Sequence, residues 1–261
     1  MIQVLQIPFD KEKLRALSKD ERAALFLFGY VTNQLLMMEK LITFATNKES
    51  ADELESHAKG VQTQMLLRLM IGLVNEAFRA VESRFSSSPI AKEYIILLDA
   101  GGKTALKALN KQFGTSILRQ LRANFAFHHP STDDIDAAFA KAANDPAMDS
   151  EWNWYLSQHG YNTLFYLSDV VITHAIFEEM KETDWKIGQE KIMKEVTDAS
   201  NSLKEFTLSF VKAIWLKHFG TELPANKVFV IKEAPAATDV VLPFFVSVPG
   251  LQPIRDGVVF R

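Results

Sequence analysis

The chain has no cysteine among its 261 residues. That single absence excludes disulfides, thiolate zinc sites and thiol nucleophiles together. Long hydrophobic runs are missing too. The most apolar uncharged stretch, AALFLFGYVTNQLLMM (23–38), is broken by Thr32, Asn33 and Gln34. It falls short of the roughly 20 apolar residues a bilayer-spanning helix requires. The N-terminal MIQVLQIPFDKEKLR has no basic start followed by an apolar core, so no secretory leader is expected. These absences predict a cytoplasmic protein with no membrane partner.

Acidic residues are missing from one window. Between Asp99 and Asp133 there is none, while Lys103, Lys107, Lys111, Arg119 and Arg122 all fall there, in a chain whose net charge is only −3. A basic segment inside a mildly acidic protein suggests a local anionic partner rather than a general nucleic-acid coat. Proline is scarce over most of the length: five of the nine lie in the last 41 residues.

Much of the rest has helical spacing of apolar residues. Long helices are predicted over about 19–47 and 50–85, the second opened by Ser50 and the acids behind it. Shorter helices are predicted at about 90–98, 102–113 and 115–128, punctuated by Gly101-Gly102 and Gly114 and stopped by Pro130. STDDIDAAFAKAA reads as a short helix with Ser131 and Asp134 in capping-box positions, and Asp133, Asp134 and Asp136 as favourable charge at its start. EWNWYLSQHGYN (151–162) reads as irregular or extended, and helical spacing returns over about 163–181 and 185–219. The prolines of the tail accompany short β-prone runs, KVFVI, VVLPFFVSV and GVVFR. The expectation is all-α: a helical domain over 1–220, then an extended, β-prone appendage over 221–261 packed on the helices or on a partner subunit.

Several motifs have a plain structural explanation. AGGKTAL (100–106) lacks the glycine that a phosphate loop needs five positions before Gly102; Leu97 stands there, so a turn between two helices is expected. The pairs His174 with Glu178 and Glu53 with His57 lie one helical turn apart, but each supplies two ligands only. No metal and no cofactor are expected.

Arg122 with His128 or His129, in LRANFAFHHP (121–130), is of another kind. A guanidinium holds a phosphate through paired hydrogen bonds, and an imidazole moves protons near neutral pH. Together they suffice for metal-free RNA cleavage, in which a ribose 2′-hydroxyl attacks the adjacent phosphate. The competing explanation is the polar end of a core helix. On a helical wheel Ile117, Leu118, Leu121 and Phe125 form an apolar arc with Arg122 on its flank. His129 falls about 20° from Arg122, and His128 points into the arc.

LNKQFGTSILRQLRANFAFHHP (109–130) resembles the signature of HEPN-domain proteins, an arginine, four to six residues, then a histidine. The resemblance covers residues 20–180 and includes RLMIGLVNEAFRAV (68–81), similar to a helix of that family with a glycine followed by a glutamate. It implies a HEPN-like helical bundle and a homodimer whose two motifs face a shared cleft. It also implies a metal-independent endoribonuclease of a toxin, antiviral-defence or RNA-processing type, with an antitoxin or other protein as a candidate partner. The alternative within the family is a catalytically silent module that binds RNA or protein. Arg122 matches the motif arginine and His128 the histidine, with His129 also at a permitted spacing. Ala123 stands where a polar residue is usual, with Asn124 one place later as a supporting residue. Pro130 replaces the tyrosine at which such toxins are silenced by adenylylation.

Two further assignments complete the expected site. Glu76, placed between Met65 and Leu69 on its wheel, would lie in the apolar arc and need a partner such as Arg122. Lys103, Lys107 and Lys111 recur every four residues as one stripe; with Arg119 they would guide RNA, although an ordinary solvated face explains the stripe equally well.

Overall fold

The computed structural model describes residues 1–48, 50, 52–121, 130–148, 151–157, 160–182, 184–220 and 227–247. They form an all-α bundle with one small sheet. In chain order it runs through β1 (Ile2–Gln6), α1 (Lys11–Ala16), α2 (Lys19–Thr46), α3 (Glu53–Val81), α4 (Ile90–Leu97) and α5 (Ala100–Thr115). It continues through α6 (Leu118–Leu121), α7 (Thr132–Ala142), α8 (Tyr166–Glu179), α9 (Trp185–His218) and β2 (Lys227–Ile231).

Local chemistry sets the boundaries. Ser18 and Glu21 cap α2 reciprocally, and Ser131 and Asp134 do the same for α7 as the sequence predicts. Asp52 rather than Ser50 caps α3; Ser50 instead holds Glu55 and the Asp52 amide. The end of α3 widens into a π turn (Glu82–Ser86), with the Ser87 amide bonded to the Glu82 carbonyl at 2.8 Å.

The helices α2 and α3 form a hairpin against which the 34-residue α9 packs, and α9 also covers α5. At the centre Phe28, Phe85, Phe206 and Phe210 meet with ring centroids 5.0–5.5 Å apart, mostly edge to face. All four rings are buried. Burial of this aromatic knot ties α2, the π turn and α9 into one core.

Three expectations change here. Gly101 and Gly102 are not a turn between helices but the first turn of α5, capped by Asp99. A Cβ at Gly101 would meet the Glu205 carboxylate, and one at Gly102 the Ser209 hydroxyl, so the glycines permit the close approach of α9. Gly114 does not divide two helices either, because α5 runs through it to Thr115 and the break falls at Ser116. The N-terminus forms a strand that the sequence reading did not include. β1 pairs antiparallel with β2, Ile2 opposite Ile231 and Gln6 opposite Lys227.

The tail run VVLPFFVSV forms no strand over its described part, 240–247. That stretch lies along the bundle instead. The Leu242 amide bonds to the Phe44 carbonyl at 2.9 Å, Asn47 donates to the Ala237 and Val240 carbonyls, and Val246 exchanges two bonds with Asn162. The run GVVFR and the linker 221–226 lie outside the described residues.

Candidate functional site

A cavity of about 980 Å³ forms a groove between α3, the π turn, α5 and α6. One wall carries Asn75, Phe78 and Arg79 from α3, with Glu82, Ser86 and Ser87 around the π turn. The other carries Asn110, Phe113 and Gly114 from α5 and Arg119 from α6.

Asn75 holds the groove together. It is 2 % exposed, and its amide nitrogen donates to the Ile71 carbonyl at 2.8 Å and to the Leu118 carbonyl at 2.9 Å. A buried amide without these acceptors would cost several kcal/mol, so the bonds fix the first turn of α6 against α3. The described part of the apolar arc, Ile117, Leu118 and Leu121, packs within this chain's own core. That part needs no second subunit to cover it, and the described part of the tail bonds to Phe44, Asn47 and Asn162 of the same chain.

Of the sequence-predicted site residues, Arg119 lines the groove, while Arg122, Asn124, His128 and His129 lie outside the described residues. Glu76 is not in the apolar arc. Its side chain is 46 % exposed and lies 3.6 Å from Arg79. The wheel was misphased by Met65, which is itself 56 % exposed; the buried stripe of α3 is Thr63, Leu67, Met70, Ile71, Val74, Ala77, Phe78 and Val81. Asn75 sits on that stripe. Its signal was a lone amide within the apolar run LMIGLVNEAF.

Lys103, Lys107 and Lys111 are all exposed along α5, and Lys103 reaches back to the Ile96 carbonyl at 3.1 Å. On the helix wheel Asn110 and Gly114 fall within about 20° of Lys103, while Lys107 and Lys111 lie about 40° and 80° round to the side away from Phe113, so the lysine stripe flanks the mouth of the groove. Phe113 stacks face to face on Phe78, their planes within 4°, and its remaining surface lines the cavity.

A second polar cluster joins α3 to the irregular segment before α8. His57 has Nδ1 2.8 Å from the Tyr155 hydroxyl and Nε2 3.4 Å from Glu151, and its ring stacks on Tyr166. Tyr166 donates to the same Glu151 carboxylate. Burial, then the hydrogen bond and charge of Glu151, push the Tyr166 hydroxyl well above the usual phenol range. With both His57 nitrogens engaged, the Glu53–His57 metal pair does not assemble. Among the described residues no group of three His, Asp or Glu side chains is placed to hold a metal ion. His174 is partly buried, and burial lowers its pKa. Among the described residues no helix is long and apolar enough to cross a membrane.

Comparison with known proteins finds no matching family model, curated protein or solved structure.

Proposed function

We propose that this protein is a HEPN-like, metal-independent endoribonuclease. One observation carries the reading from sequence to structure: the groove flanked by the α5 lysine stripe and walled by Arg79 is also lined by Arg119, three residues before Arg122 in the sequence. Exposed lysines at four-residue spacing suit a phosphate backbone, which carries its charge at regular intervals.

In the proposed reaction the ribose 2′-oxygen attacks the adjacent phosphorus while a base takes its proton. The P–O5′ bond breaks, and an acid returns a proton to the leaving 5′-oxygen. The products carry a 2′,3′-cyclic phosphate and a 5′-hydroxyl. Arg122 neutralises the charge that develops on the phosphate; His128 and His129 are the proton-moving candidates. The test is incubation of RNA with the full chain in excess EDTA and analysis of the fragment ends. Cyclic-phosphate ends that disappear with Arg122→Ala are the expected result. No cleavage, together with retained RNA affinity, would instead identify the silent binding module.

The lysine stripe makes a separate prediction. Binding of single-stranded RNA should weaken steeply with salt, each neutralised phosphate contributing roughly −0.7 to the slope of log K against log salt. Replacing Lys103, Lys107 and Lys111 together with glutamine should reduce that slope by roughly 2. An unchanged slope would return the stripe to an ordinary solvated face.

A homodimer remains part of the proposal, on different grounds from those in the sequence. Phe26, Tyr30 and Met37 are 57–60 % exposed and recur at helical spacing along α2, an apolar face that a second copy would cover. Light scattering at micromolar concentration should give twice the 29.5 kDa chain mass; a clean monomer would remove the shared-cleft arrangement.

A further inference from the structure

We infer that the groove between α3, α5 and α6 is a nucleobase-binding subsite for single-stranded RNA, holding a base edge through Asn110 and favouring adenine over uracil by stacking on Phe113. The inference rests on the RNA reading above, but uses residues outside the proposed catalytic motif.

The lining argues for a base rather than a phosphate. Two arginines, Arg79 and Arg119, face one glutamate, Glu82, and Arg79 is already paired with Glu76 at 3.6 Å. The groove itself is therefore only weakly basic, and the strong positive charge lies outside it on the lysine stripe. An extended strand meets both demands when its phosphates follow Lys103 and Lys107, one helical turn (about 6 Å) apart, and a base turns inward at Asn110. The volume, about 980 Å³, is at the upper end of the ordinary range for small-molecule pockets, roughly 300–1,000 Å³. It admits a base with its sugar.

Each wall offers a distinct contact. Phe113 is half-buried and held flat by its stack on Phe78, a rigid aromatic surface that loses little entropy when a base lies against it. Asn110 is exposed at the groove mouth, and a carboxamide pairs with any unpaired base edge that sets a donor beside an acceptor, so it holds a base while the larger purine face on Phe113 gives the preference. Gly114 keeps the mouth open. A Cβ there would meet nothing within 4 Å, so the missing side chain is space left free in the groove rather than a packing requirement.

The test uses octamers of 2′-fluoro adenosine and 2′-fluoro uridine, which lack the hydroxyl that cleavage consumes, labelled with fluorescein and titrated with the full chain. The adenosine octamer should bind roughly threefold more tightly than the uridine octamer, because the purine offers the larger face to Phe113. Asn110→Ala should weaken both octamers by roughly three- to tenfold and keep that preference. Phe113→Leu should weaken both octamers by roughly five- to a hundredfold. Gly114→Leu should weaken both by filling the mouth, with no loss in melting temperature because leucine favours the helix more than glycine. It therefore controls for Phe113→Leu, whose ring also packs on Phe78.

If Asn110→Ala and Gly114→Leu bind both octamers as the wild type does while RNA is still cleaved, the subsite is wrong and the ribonuclease reading stands. If the groove variants lose binding but no variant or wild type cleaves RNA, the subsite stands and the ribonuclease reading falls. If the wild type binds neither octamer, both fall.

Discussion

Replacing His128 with alanine should lower RNA cleavage by roughly two to four orders of magnitude, the usual contribution of a positioned general acid or base. The fold should survive the change. The two buried helical residues that precede the motif, Leu118 and Leu121, sit in contacts of α6 with α3, α8 and α9, and the Leu118 carbonyl accepts from Asn75. Melting within a few degrees of wild type is therefore expected, with RNA affinity largely kept. His129→Ala should leave measurable activity and weaken binding, because Pro130 disfavours helical geometry at the residue before it and so frees His129 to act as a phosphate contact. Single-turnover cleavage separates the two roles. If His129→Ala alone removes activity while His128→Ala unfolds the protein, the assignment is reversed. If neither variant changes any RNA-dependent signal, the motif is the end of a core helix.

Glu21→Ala should produce the largest loss of stability. Glu21 is 4 % exposed at the start of α2, yet four groups converge on its carboxylate. Tyr94 donates at 2.6 Å and Lys217 at 2.8 Å, His218 Nε2 lies at 2.9 Å, and the Ser18 amide bonds to the second oxygen at 2.8 Å. Burial alone would raise the carboxyl. The bonds from Lys217, Tyr94, Ser18 and His218 outweigh it and hold the group far below the usual carboxylate range. Removing the carboxylate takes an acceptor from the partly buried Lys217 and leaves the buried Tyr94 hydroxyl only His218 Nε2 at 3.3 Å, at a cost of about 3–5 kcal/mol. The lower end is expected, since Lys217 keeps Glu93 at 2.8 Å.

The pH dependence of this contribution has a definite sign. A depressed folded pKa stabilises the protein fully above the ordinary glutamate value of 4.5 and loses that effect as the pH falls towards the folded value. The gap between wild type and Glu21→Ala in urea denaturation should thus be widest near neutrality and close on acidification. A gap that does not change with pH would mean that the loss is one of packing, not of charge.

Local signals in the sequence identified most helices but not the relations between them. The spacing of apolar residues located α2, α3, α8 and α9, and the Ser131–Asp134 box located the start of α7, because each depends on neighbours within a turn or two. Gly101 and Gly102 read locally as a turn, but their reason is a helix more than 100 residues later, where Glu205 and Ser209 approach. IQVLQ is too short to signal a strand by itself, and its partner is KVFVI near the other end of the chain. Glu76 reads as part of the apolar arc because the exposed Met65 imitates a core residue. At the groove, the basic residues show in the sequence as a window without acids, but Phe113 and Asn110 are neither charged nor periodic, and it takes the stack of Phe113 on Phe78 to bring α5 beside α3.

The pairing of β1 with β2 also imposes an order of events on the growing chain. Closing a loop of more than 200 residues costs about 3 kcal/mol more entropy than closing a ten-residue hairpin. Two strands of five residues, both facing solvent, cannot offset that alone. They can meet only after the helices have already brought their ends together. Phe9, which packs edge to face on Trp215 and Phe219 at the end of α9, is the hinge that brings β1 there. Throughout synthesis the first strand therefore stays an open edge, able to pair with the second strand of another molecule. An edge that waits unpaired carries the general liability of open strands, and completing the β1–β2 pair within the chain removes it from β1 on one side.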